Sequence, residues 1–364
     1  MKAKRLVKSE GWSLFDRVVG QASLRDTTPW RVEAGEVRYS PDFDTLELLL
    51  RVPWMLGSRS ASGLPALALD VWTAYELRRA GFGPDSVWPR ADVPRILPGP
   101  IATLLENLNQ PDAARLRELL TSGKTFGGTV GASAKVLGKN YMKQVDVVMS
   151  DWNTGPELLI STKRMDDSYG NNAPNRMEES YGDAKNLRSR HPRAALGFVF
   201  SLNANAFIEA PRVADWILDL LAKLGREDDA YDAVALVVPR YPEQPSGSGD
   251  GQGTDASDAG DEPESALIEV ELLPPPTHEP VPSSDSDADK LFARLKTTAA
   301  IELSHDGVPE ELTPARFLTH MIRHVLDNSP ITRHERARDL LADAESLARA
   351  GNGDVGRRNL YDEI

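Results

Sequence analysis

The chain changes its hydrophobic period repeatedly, and each change predicts an element. "LPALALDVWTAYELRRAGF" (64–82) carries apolar residues at three and four spacing and closes near a glycine, the pattern of an amphipathic helix. A helix pair follows in "GPIATLLENLN" (99–109) and "PDAARLRELLTSG" (111–123), then a Gly-rich passage (123–144) that reads as a loop. Short apolar runs come next. "VDVVM" (145–149) and "ELLISTK" (157–163), separated by the turn-forming "SDWNTGP", predict a hairpin. A polar loop, a helix over 174–191, a strand "AALGFVFSL" (194–202), a helix over 212–225 and a strand "YDAVALVVP" (231–239) complete the run. Helix, hairpin, helix, strand, helix, strand predicts an α/β fold, with a mixed sheet flanked by helices.

The flanking regions differ in kind. Five of the seven tryptophans fall before residue 89, so 1–96 is expected to form a packed, mostly helical N-terminal layer against a core spanning 97–240. Residues 241–287 replace periodicity with Gly, Ser, Pro and Asp, which predicts an acidic disordered linker, with one short strand possible in composition at "ALIEVELL" (266–273). Beyond it, "DKLFARLKTTAAIEL" (289–303), "TPARFLTHMIRHVLD" (313–327) and "ITRHERARDLLADAESLARAG" (331–351) predict a small helical C-terminal appendage over 288–364.

Charge changes the picture only once it is located. The net charge is -13, yet 241–289 alone holds 13 Asp or Glu and no Lys or Arg, and the remaining 42 acids balance the 42 bases. The acidity is therefore local, and it argues only weakly against a nucleic-acid partner, whose binding depends on a basic stripe. The absence of cysteine excludes disulfides, Cys-based zinc sites and thiol nucleophiles, and is compatible with a reducing cytoplasm. No apolar run approaches the roughly 20 residues of a membrane helix, and "MKAKRLVKSEGW" lacks an apolar h-region, so neither a span nor secretion is expected.

Several chemistries fail on spacing. "GASAKVLGKN" is no phosphate loop, because its glycines are misplaced and Asn140 stands where Ser or Thr would bind magnesium. His320 and His324 are spaced as ligands on a helix can be, but without a zincin acid or cysteine they read as surface histidines. No Gly-x-Ser-x-Gly elbow occurs. What remains is Asp146, then Ser161-Thr162-Lys163, then Glu178-Glu179. Phosphodiester hydrolysis needs carboxylates to hold a divalent cation and a positive group to orient water or stabilise charge. Asp146 and a helix Glu suit the first need, and Lys163 the second. Ser161 shares the Lys163 face of the strand. On the helix, Met177, Tyr181, Ala184 and Arg188 form a stripe expected to face the sheet, so Glu178 and Lys185 flank it while Glu179 points away. The plain alternatives are a solvated strand-end lysine, a turn aspartate and a polar helix face.

This order, Asp, then Ser-x-Lys on the next strand, then Glu on the following helix, resembles the PD-(D/E)XK restriction-endonuclease-like superfamily, in the variant whose third acid has moved to the helix. The resemblance spans about 97–240 and is densest over 161–200. It implies a restriction-endonuclease-like fold, Mg2+ bound by Asp146 and Glu178, Lys163 as the catalytic lysine, and DNA as partner, with a homodimer left open. Val145 departs from the family's frequent Pro, and Ser161 stands in place of an acid. Glu178 and Glu179 both stay open as the ligand, as do Glu106 and Glu76 for an acid from an earlier helix. Lys139, Lys143, Arg164, Arg176, Lys185, Arg188 and Arg190 are the expected DNA-binding residues, since "AKNLRSRHPR" (184–193) and the Gly-rich passage cluster positive charge near the site. The expected function is a magnesium-dependent DNA endonuclease of restriction or phage-defence type. The competing readings are an inactive DNA-binding or assembly module on the same fold, and an interaction protein with a tethered helical tail.

Overall fold

Alternating and continuous apolar runs become one central sheet in the computed structural model, which describes residues 2–25, 28–58, 63–121, 134–167, 169–242 and 285–358. The N-terminal part contains α1 (Lys2–Ser23), β1 (Trp30–Glu33), β2 (Glu36–Tyr39), α2 (Phe43–Met55), α3 (Leu64–Arg79), β3 (Val87–Trp88), α4 (Gly99–Asn107) and α5 (Gln110–Thr121). The middle contains β4 (Ala134–Leu137), β5 (Met142–Val145), β6 (Val147–Asp151), β7 (Gly155–Met165), α6 (Tyr169–Arg188), β8 (Ala195–Leu202), α7 (Ala206–Glu209), α8 (Pro211–Leu224), β9 (Ala233–Val237) and β10 (Pro239–Arg240). Last come α9 (Asp285–Thr297), β11 (Glu302–Leu303), α10 (Pro314–Asn328) and α11 (Glu335–Arg358).

The fold is mixed α/β. Five strands lie in the order β3-β6-β7-β8-β9. β6 and β7 form the expected antiparallel hairpin, with Val147 opposite Ile160, and β8 runs parallel to both β7 and β9. A strand with parallel neighbours on either side and helices over both faces has no wet face, and all eight residues of β8 are buried. Val147, Met149, Leu158, Ile160 and Val199 point into one core, filled by α1, α2, α3 and the C-terminal helices. Val148, Leu159, Leu196, Phe198 and Phe200 point into the other, closed by α6 and α8. In α8 the buried Ala214, Ile217, Leu221 and Leu224 recur at three and four spacing, which is why that helix lies on the sheet.

Four expectations change. First, α3 is buried nearly all round rather than amphipathic, with Asp70, Thr73 and Glu76 buried alongside its apolar residues. Second, the N-terminal layer does not end at the sheet: Val87 and Trp88 pair with Met149 and Val148 as its edge strand. Third, part of the Gly-rich passage is a hairpin, β4–β5, in which Ala134 to Leu137 pair with Val145 to Met142. The turn residues Gly138-Lys139-Asn140 between two alternating runs were its signal. Fourth, the C-terminal helices are present but built into the main core, where Phe317, Leu318, Met321 and Ile322 of α10 are buried. A Cβ on Gly197 of β8 would come within 2.8 Å of Phe317 Cζ and 2.9 Å of Met321 Cε, so the glycine lets helix and strand approach. The possible strand over 266–273 and most of the acidic linker lie outside the described residues. Among the described residues no helix is long and apolar enough to cross a membrane.

Candidate functional site

The site forms where β6 and β7 stop pairing. Asp146 immediately precedes β6, so the ladder ends there and leaves the Thr162 amide without a strand partner. The Asp146 carboxylate supplies one, accepting from Thr162 N at 2.7 Å through Oδ2. Alternation then sends Ser161 and Lys163 to the α6 face of the sheet and Thr162 to the opposite face.

Lys163 Nζ donates to Glu179 Oε1 at 3.1 Å. A second lysine, Lys143 of β5, lies 3.7 Å from the same oxygen and 2.8 Å from Asp183 Oδ2. Tyr141 Oη donates to Asp183 Oδ1 at 3.1 Å. Both ammonium groups are largely withdrawn from water, with side chains 14% exposed for Lys163 and 13% for Lys143. Such pairs are costly to break singly, because the remaining charge loses its partner in a poorly solvated place.

Glu179, not Glu178, therefore faces the hairpin; Glu178 is exposed. Ala173, Met177, Ser180, Ala184 and Leu187 are buried beneath α6, so the sheet-facing stripe is close to the expected one. Its two flanks meet different neighbours. Tyr181 Oη donates to Glu227 and Lys185 Nζ to Asp229, which turns that side of the helix toward the segment following α8. Glu179, Asp183 and Asn186 lie on the other side, against β4–β5. Asn186 fixes this contact by accepting from Asn140 N at 2.8 Å and donating to Tyr141 O at 3.2 Å.

Glu76 and Glu106, the candidates from an earlier helix, make their contacts elsewhere, and the acid that α3 brings to the hairpin touches its other face. Asp70 of α3, 5% exposed, accepts from Thr162 Oγ1. It reaches the hairpin from the face opposite Lys163. Glu76 is held by Tyr39 Oη, Asp42 N and Arg79, and Glu106 is exposed on α4. Asp183, Tyr141, Asn186 and Tyr231 were also missed. Asp183 lay four residues beyond Glu179, a spacing that would have paired them had the correct flank been known.

Tyr231, 2% exposed, precedes β9 and stacks its ring on Phe198 at 5.2 Å. Burial, then the charges of Asp183, Asp146 and Glu179, push its hydroxyl far above the ordinary tyrosine range, so it stays protonated. Ser161 lies close enough to act on this hydroxyl, yet no described atom stands in hydrogen-bonding geometry with it.

The expected DNA-binding residues divide. Lys143 faces Asp183 inside the site; Arg164 pairs with Asp166, Lys185 with Asp229 and Arg188 with Asp232. Arg176 is half-buried, while Lys139 and Arg190 are exposed. The β4–β5 turn abuts the end of α6, where Lys139 N donates to Asn186 O and His191 Nε2 lies 2.9 Å from Leu137 O. Away from the site, His324 Nδ1 is 3.8 Å from Asp232, and His320 lies one turn earlier on α10.

Asp146, Glu179 and Asp183 offer hard carboxylate oxygens, the donor type that Mg2+ takes. Among the described residues no three Asp, Glu or His side chains converge as a finished metal cage. That still fits magnesium, which commonly uses one or two carboxylates and completes its shell with water and substrate phosphate. Comparisons of the chain with family models, curated proteins and solved structures find no match.

Proposed function

We propose that the chain is a magnesium-dependent DNA endonuclease of restriction or phage-defence type, acting in the cytoplasm. The observation that carries this reading is Lys163 of β7 lying 3.1 Å from Glu179 of α6, with the Asp146 carboxylate bonded to the amide of the adjacent Thr162. Asp146 and Glu179 would hold Mg2+, which when bound polarises the phosphoryl oxygen and makes hydroxide accessible near neutral pH. Lys163, paired with Glu179, orients the attacking water and offsets charge on the phosphate. Lys143 supplies a second positive group, and Lys139 and Arg190 are exposed to meet the DNA backbone. A second copy of the chain would present a second such site to the other strand.

One observation favours a different reading, an inactive DNA-binding or assembly module: Ser161 stands where a further acid would strengthen cation binding.

Supercoiled plasmid DNA with Mg2+ separates the two. Wild type should cut, and Asp146→Asn, Lys163→Ala and Glu179→Gln should each lose at least about 100-fold, in line with removal of a charge-stabilising group. Glu178→Gln should remain near wild type. Absence of wild-type cutting together with retained DNA binding selects the inactive module, and full activity in Lys163→Ala ends the nuclease reading.

A further inference from the structure

A buried hydroxyl without a partner costs stability, because it has surrendered its hydrogen bonds to water and regained none. Among the described residues several buried polar atoms lack a partner, and one is Tyr231 Oη, whose hydroxyl feels the charges of Asp183, Asp146 and Glu179. Its position is fixed rather than incidental. Phe198 pairs with Ser161 across β7 and β8, and the Tyr231 ring stacks on Phe198 with planes 21° apart. This register sets Tyr231 beside the Ser161 position, and Ser161, itself 5% exposed, acts on its hydroxyl. Both hydroxyls can donate to or accept from a small polar guest.

We propose that Tyr231 and Ser161 form a hydroxyl pair that holds water belonging to a hydrated divalent cation at this site. The inference rests on the reading that Asp146 and Glu179 bind such a cation. It gives the Ser161 position, which lacks an acid, a chemical role: a neutral pair grips hydration water, where a third carboxylate would have bound the ion itself. Buried water typically needs two to four polar partners, and the pair with a neighbouring carboxylate provides them. Groups acting on a metal through its outer shell commonly change affinity by 10–100-fold.

The test uses the full chain and Mn2+ as the probe, followed by calorimetric titration, with thermal unfolding in EDTA recorded in parallel. Tyr231→Phe keeps the stacked ring and removes only the hydroxyl, and Ser161→Ala removes the other member. Each should weaken Mn2+ binding about 10-fold, while the unfolding midpoint of Tyr231→Phe in EDTA stays the same or rises, since an unpaired buried group has been removed. Wild-type affinity in both variants overturns the hydroxyl pair and leaves the cation reading standing. A lowered midpoint in EDTA for Tyr231→Phe, with Mn2+ affinity unchanged in Ser161→Ala, overturns it in favour of a structural role. No Mn2+ binding by wild type overturns the cation reading and this inference together, and Asp146→Asn serves as the non-binding control.

Discussion

Glu157 stands at the start of β7, 8% exposed, where Thr154 Oγ1 donates to it at 2.7 Å and His334 Nε2 lies 2.9 Å away. Burial pushes its carboxyl up, but the hydrogen bonds from His334 and Thr154 outweigh burial and hold it below its usual value of 4.5. A folded-state pKa below the unfolded one means the ionised group stabilises the fold above about pH 4.5, and that contribution disappears as pH falls through the folded value. Glu157→Gln should therefore cost about 1–3 kcal/mol at pH 7, with the gap to wild type closing in acid. Urea unfolding at pH 7 and near pH 3.5 checks this; a gap that does not change with pH would show that ionisation of Glu157 contributes nothing. Its partner His334 is 177 positions away, so sequence offered no means of seeing that it was already engaged.

At the scale of elements, α6 decides the site by presenting one flank to the β4–β5 hairpin and the other to the segment after α8. The hairpin turn comes so close that a Cβ on Gly138 would sit 2.1 Å from Asn186 Nδ2. Gly138→Ala must displace Asn186, which bonds Asn140 N and Tyr141 O and so seats the strand carrying Lys143. The expected cost is about 1–3 kcal/mol, accompanied by reduced DNA cleavage as Lys143 leaves Glu179 and Asp183. Thermal unfolding and the plasmid assay measure the two effects, and an unchanged protein would show that the hairpin tolerates a different seat. The helix and the sheet-facing stripe were legible from spacing. Which flank meets the hairpin was not, because adjacent helical residues point about 100° apart and the choice depends on partners some 45 residues away on both sides.

Across the whole molecule, the C-terminal helices share a core with the N-terminal layer and the sheet. Sequence spacing predicts that removing 241–364 leaves a folded core, because a polar linker normally crosses few contacts. The structure predicts otherwise. The truncation would strip Phe317, Leu318, Met321 and Ile322 from the sheet face and leave Glu157 without His334. Uncovering several large apolar side chains costs about 1.5–3 kcal/mol each, against a total domain stability of about 5–15 kcal/mol. The truncated chain should lose cooperative unfolding and bind a hydrophobic dye, as followed by circular dichroism and dye fluorescence. A sharp transition in that fragment would restore the reading of a separable appendage.

Local periodicity and residue chemistry determined the strands and helices between 145 and 239, the β6–β7 hairpin among them, and so the placing of Asp146 and Lys163 on the two arms of that hairpin, because each depends on neighbours within one or two elements. Tertiary structure alone chose Glu179 over Glu178, brought Asp70, Lys143, Asp183 and Tyr231 to the hairpin, and laid α10 on the sheet. Those outcomes rest on contacts between segments far apart in the chain. The physical reason is that a pattern of apolar residues states that a face must be buried, but contains nothing about which distant surface will bury it.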